Sequence, residues 1–391
     1  RRPLALECLE GRITPATGSF NSTTGTISFN YTATGSTAEN VTLTNNGTTI
    51  TASGNVSGTT SFTTSNVKAI LITASGNSTG QSLSLTGTSA YSLSSGLSVT
   101  GIDSVTVNAS INTGVSDISM SLGNGIAINS PLSTSTGNIV IAANNGASSS
   151  TGNFYGIHAS ANVTTAGGNI DWTGRAGTDS SGGKVGILID NGSTISAGGS
   201  GFIKFTGTGG ASTGVYNHGI AVIGKNTARS TIVKTLNGDI TINGTGGGIG
   251  ANTSNNYGVY VQIGGVISAG GVGSLFINGK GGSASGVGNM GLFIDADQIA
   301  ADDSTFVGAS DGSVIINVEG GANGAQSLGF RGRGQIGSLS NYSSLASSNN
   351  NLSISLTPGQ GGTIGIYNET SLGKIISGSK NITIYSDYYS N

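Results

Sequence analysis

Charge is what this chain has least of. Lys, Arg, Asp and Glu make up 8% of its 391 residues, against roughly a quarter in an average globular protein. With a formal net charge of -2 it lacks the basic surface that phosphate backbones require, so a nucleic-acid partner is excluded. Cysteine occurs once, at Cys8, which rules out an intramolecular disulfide and leaves stability to packing and backbone hydrogen bonds. Long apolar runs are missing as well, and none approaches the roughly 18 residues of a membrane-spanning helix. Proline appears four times.

Glycine, by contrast, appears 69 times, and Ser, Thr and Asn keep the chain soluble in place of charge. Such a composition can mean disorder. Here, however, hydrophobic residues still reach 35% and fall into short alternating runs of Ile, Val, Leu and Phe, which is a strand pattern.

The sequence also repeats itself. From about residue 138 a three-part unit recurs, of which "NIVIAANNG", "YGIHAS" and "NVTTAGG" form one copy and "NIDWTGRAG", "VGILIDNG" and "STISAGG" the next. "DITINGTGG", "YGVYVQIGG" and "VISAGG" form a later one, and each unit spans roughly 31 to 40 residues. In the first strand of the units, alternation places Ile139 and Ile141, Ile170 and Trp172, Ile203 and Phe205, Ile240 and Ile242, and Leu275 and Ile277 on one face. Val140, Asp171, Lys204, Thr241 and Phe276 point the other way.

Three short strands per unit, joined by Gly-rich turns and without helical periodicity, do not make a βαβ sheet. They predict an all-β parallel β-helix (β-solenoid) over 136–391, each strand lying on its counterpart in the next coil. The next outward position of the first strand carries Asn243, Asn278 and Asn317 in consecutive units, predicting a stacked asparagine ladder. Residues 17–135 use the same vocabulary more diffusely, and the sequence leaves them as coils with shorter turns or as a separate cap.

The "G-[ND]-I-x-I" strand followed by "G-[IV]" and "ISAGG" resembles the repeats of filamentous-haemagglutinin-type and autotransporter-passenger β-helices, over roughly residues 100–391. That resemblance implies a bacterial surface adhesin or fibre. The opening, "RRPLALECLEGRITPA", is similar to the "LE-x-LE-x-R-x-x-P-A" segment of large extracellular proteins of planctomycete-type bacteria. Leu6, Glu7, Cys8, Leu9, Glu10, Arg12, Pro15 and Ala16 carry the match, and Gly11 stands where an acidic residue is commoner. It implies that residues 1–16 sort the protein to the outside or help it assemble. Leu6, Cys8 and Leu9 then offer an apolar edge that docks on a β-helix end.

At the other extreme, "KNITIYSDYYSN" holds a strand of full repeat quality, with Ile382, Ile384 and Tyr385. An uncovered terminal coil is a template for pairing, and a head-to-tail contact that does not close makes a filament. The expectation is therefore a secreted, cell-surface-associated structural protein that polymerises head-to-tail through these residues. The alternative is a monomeric adhesin or stalk that binds cell-surface glycans.

An enzymatic role is not expected. Polysaccharide-active β-helices, the third reading, need carboxylates converging on a groove, whereas Asp171 is matched by Lys204 in the next unit and Asp190 by no acid. Asp295, Asp297, Asp302 and Asp303 form the densest acidic group but lack the spacing of calcium-binding β-rolls, so no cofactor is expected beyond weak Ca²⁺ binding there or a solvated loop. His158 and His218 lie in the second strand of their units, and His158 begins an outward column that continues through Leu188, Ala221, Tyr260 and Phe293. This column reads either as an exposed apolar stripe marking a contact or as a stripe covered by the loops of the units. Fifteen Asn-x-Ser/Thr triplets, among them Asn21, Asn46, Asn77 and Asn243, are glycosylation acceptor sequences, common by composition alone in such a chain.

Overall fold

A computed structural model describes residues 15–34, 38–76, 79–225, 230–250, 253–296 and 305–321. Beyond these it describes the strands Leu328–Arg331, Gln335–Ser338, Leu352–Thr357, Ile366–Asn368, Lys374–Ile376 and Ile382–Ser386. The segment carrying Leu6, Cys8 and Leu9, and the acids Asp297, Asp302 and Asp303, lie outside the described residues.

The chain winds as a parallel β-helix. Its strands form three sheets of 14, 13 and 10 strands among the described residues, and each coil contributes one strand to each sheet in turn. In one coil these are Ile170–Arg175, Ile187–Ile189 and Thr194–Ala197. The inward residues stack in register: Ile139 on Ile170, Ile170 on Ile203, Ile203 on Ile240 and Ile240 on Leu275. All five are 0% exposed. Each fully buried aliphatic side chain contributes about 1.5–3 kcal/mol, and a slip of one residue would turn the whole column to solvent, so register is tightly specified.

Coil length changes along the axis. The step from Leu97 to Ile118 and from Ile118 to Ile139 is 21 residues each. From Ile139 to Ile170 it is 31, and from Leu275 to Val314 it is 39. In the 31-residue coil the extra length enters at one corner, between the first and second sheets, whereas the 39-residue coil also carries ten residues between Asp295 and Phe306, at the corner between the second and third sheets. Three residues separate Leu122 from Ile126, whereas 13 separate Ala143 from Ile157 and 11 separate Arg175 from Ile187. The inserts stack on one another as lobes, held by rung-to-rung bonds such as Gly186 N–H to His218 C=O, 3.0 Å, and Gly219 N–H to Tyr257 C=O, 2.9 Å.

The N-terminal end is built differently. Ala16–Asn21 pairs antiparallel with Thr26–Tyr31, and Thr49–Gly54 antiparallel with Asn40–Asn45. The chain then crosses the end as two three-residue strands, Val56–Gly58 on the edge of the first sheet and Ser61–Thr63 on that of the second. Phe62, 3% exposed, plugs the core here, its ring 6.4 Å from Phe29 and 5.9 Å from Phe20. From Ala69 onward every described strand pairs parallel within the same three sheets, so residues 69–135 continue the helix of 136–391 as shorter coils.

Candidate functional site

The outward faces of the sheets carry the chemistry, because the inside is filled. On the first sheet Asn278 Nδ2 donates to Asn243 Oδ1 at 2.8 Å and Asn317 Nδ2 donates to Asn278 Oδ1 at 3.0 Å. These amides, with Lys280 and Glu319 in an ion pair of 2.9 Å, line a shallow groove of about 320 Å³. One sheet position away, Lys204 lies 4.0 Å from Asp171 of the preceding rung. The side chains of both pairs are between 37% and 54% exposed, and such pairs contribute little to stability.

The stripe at Leu188, Tyr260 and Phe293 is not an exposed surface. The side chains are 6%, 9% and 6% exposed, and Ala221 between them is 0% exposed. Val185, Tyr257 and Met290, which precede the glycine that opens each second strand, turn back over the column and form a second apolar cluster with it. His218 joins them, stacked on Tyr257 at 5.0 Å between ring centres. The physical reason is the lobe itself. Its returning strand runs so close to the outgoing one that a Cβ on Gly207 would collide with Gly219 C=O and one on Gly209 with Asn217 C=O. That pinch brings the residues beside it onto the stripe. Tyr260 donates its hydroxyl to Asp295 Oδ2 at 2.9 Å, which places Asp295, 1% exposed, inside the cluster and not in a solvated loop.

A second asparagine ladder, which sequence reasoning missed, fastens the lobes. Asn256 Oδ1 accepts from the backbone N–H of Asn217 at 2.8 Å and from Asn217 Nδ2 at 3.0 Å. Asn289 Oδ1 accepts in the same way from Asn256, at 2.9 and 3.0 Å. All three residues are 0% exposed. The signal was present as "NHGI", "NYGV" and "NMGL", an asparagine always two residues before the glycine. Burial hides it, since an inside asparagine ladder and an outside one look alike in sequence.

The most site-like geometry lies where the lobes begin. The first lobe, 144–156, stacks on a coil whose matching corner has only three residues, so its underside is not covered by another lobe. Phe154 and Tyr155 stand there over Gly125, where a Cβ would collide with Tyr155 C=O. Beneath them the outward column of the second sheet runs Thr106, Ala127, His158, Leu188. His158 thus occupies the rung at which the column changes from an open polar floor to the buried stripe. Its Nε2 lies 3.0 Å from Asp190 Oδ1, and its ring meets Tyr155 edge-on at 5.3 Å. Ser104, Thr106, Asn124, Ala127, Phe154, Tyr155 and His158 line a recess of about 370 Å³. That volume is at the lower end for small-molecule pockets.

The strand Ile382–Ser386 pairs parallel with Leu352–Thr357, placing Tyr385 opposite Ser355. No family model, curated protein or solved structure matches this chain.

Proposed function

We propose that the chain is a non-catalytic, surface-exposed stalk that works as a single rod and presents its lateral faces to partners outside the cell. The observation that carries this reading is the closed N-terminal end. Coil-on-coil polymerisation needs an open edge at both ends of the subunit, and here two three-residue strands and the Phe62 plug occupy it. Short edge strands of this kind are how proteins discourage strand addition. This favours the alternative to head-to-tail filaments, a monomeric stalk. Its support for an outside location is the resemblance of residues 1–16 to a surface segment. The lateral ionisable groups Lys204 with Asp171 and Lys280 with Glu319 neutralise one another across rungs, which supports a binding or spacing role over hydrolysis.

Electron microscopy of the purified full chain tests this. Of the 14 strands in the first sheet, 12 stack as parallel rungs, so discrete rods about 5–6 nm long at about 4.8 Å per rung are expected. Long filaments with an axial repeat at that spacing would overturn the reading and restore head-to-tail assembly.

A further inference from the structure

We infer that the recess at the first lobe is a binding site for a neutral saccharide, with Tyr155 as its stacking platform. Four observations converge there. Tyr155 is 38% exposed, and the backbone beside it is anchored to the next rung by Gly156 N–H to Val185 C=O at 3.2 Å and Ile157 N–H to Gly186 C=O at 2.9 Å, which holds the ring at the surface against His158. Aromatic faces held in this way are suited to the apolar C–H face of a pyranose ring, an amphipathic ligand that is flat on one side and ringed by hydroxyls.

The floor supplies the complementary polar groups. Ser104 and Thr106 bring hydroxyls, Asn124 an amide with donors and an acceptor, and His158 a ring nitrogen whose partner nitrogen is already committed to Asp190. That commitment holds the imidazole plane, so the Nδ1 edge is presented in one orientation. The volume, about 370 Å³, suits one or two sugar rings better than a peptide or a long polymer.

Charge decides which saccharide. Among the described residues no Lys or Arg lines the recess, and the carboxylates placed next to it, Asp190 on His158 and Asp103 beside Ser104 in the chain, repel anions. An acidic sugar is therefore disfavoured and a neutral one accepted. The ladder groove at Asn243 to Glu319 is a weaker candidate, because its amides already bond to one another and Lys280 is held by Glu319.

The inference rests on the stalk reading, which gives the lateral faces of the rod the work of binding partners. The two can fail separately, because microscopy reads the assembly state and binding is read in solution. Saturation-transfer NMR on the full chain, with cellobiose, maltose, lactose and diacetylchitobiose as neutral probes and a galacturonate dimer as the anionic one, provides the test. At least one neutral probe is expected to bind in the millimolar range. Tyr155→Ala should weaken it about tenfold, Tyr155→Phe should stay within about threefold, and Tyr216→Ala, an exposed tyrosine two lobes away, should leave it unchanged. Circular dichroism confirms that each variant is folded. Absence of binding by every neutral probe, preference for the anionic one, or an equal loss in Tyr216→Ala would overturn the assignment.

Discussion

Among single residues, His218 is the one whose protonation the fold moves within the range between acid and neutral pH. Its imidazole is 4% exposed, stacked on Tyr257 and 4.8 Å from the Tyr260 ring, and its Nδ1 accepts the backbone N–H of Tyr257 at 3.2 Å. Burial disfavours the charged form and pulls its pKa down from 6.5 to about 3. Above about pH 6.5 neither folded nor unfolded chain holds the proton, and the contribution of His218 is complete. As the pH falls from there toward about 3, the unfolded chain takes up a proton that the folded one refuses, so stability declines across that window. Urea unfolding at about pH 7.5 and about pH 4.5 should show a drop in stability that is smaller in His218→Phe. An equal drop in both proteins would remove His218 from the account. Tyr31 and Tyr91 are shifted the opposite way, their phenols pushed up by burial while their hydroxyls donate to Ser82 C=O and Leu43 C=O.

At the scale of elements, the two asparagine ladders have the same chemistry and different weights. The Asn243–Asn278–Asn317 ladder faces solvent, so a lost bond is replaced by water. In the Asn217–Asn256–Asn289 ladder, removing Asn256 leaves the buried backbone N–H of Asn217 without its acceptor. Asn256→Ala should therefore cost about 2–4 kcal/mol, and Asn278→Ala no more than about 1 kcal/mol, by denaturant titration. Comparable losses would mean that the lobes are held chiefly by their apolar cluster. The lobes and the coils also differ in how they were anticipated. Period-two alternation announces a strand face such as Ile240 and Ile242, but nothing periodic announces that Tyr257 and Met290 turn back over Tyr260 and Phe293.

For the whole molecule, the antiparallel pairs at the N-terminal end set it apart from the parallel rungs that follow. A chain begun at Val67 would present Ala69–Ala74 and Ser82–Gly87 as open edges in place of the short strands Val56–Gly58 and Ser61–Thr63. Open edges recruit other strands. Light scattering should find the full chain monomeric and the shortened one in larger species. If both stay monomeric, the cap is not what limits assembly. The three sheets themselves share one continuous core, running from Ala16 to Ile354 among the described residues. Repeat architectures of this kind gain stability rung by rung from nearest neighbours.

What the sequence by itself determined was the coil. The residues Ile170, Trp172, Ile203 and Phe205 must share a face, and glycines at each corner let strands of that spacing wind on themselves, so the parallel stacking follows from local alternation and repeat length. The same alternation also placed His158, Leu188, Ala221, Tyr260 and Phe293 in one column. Only the tertiary structure decided that most of this column is covered. Coverage depends on where the inserts of successive coils meet, a contact between residues some 30 to 40 apart. For the same reason the recess beside Tyr155 arises from a mismatch between two adjacent coils, a 21-residue one and a 31-residue one, and no single segment of the sequence contains it.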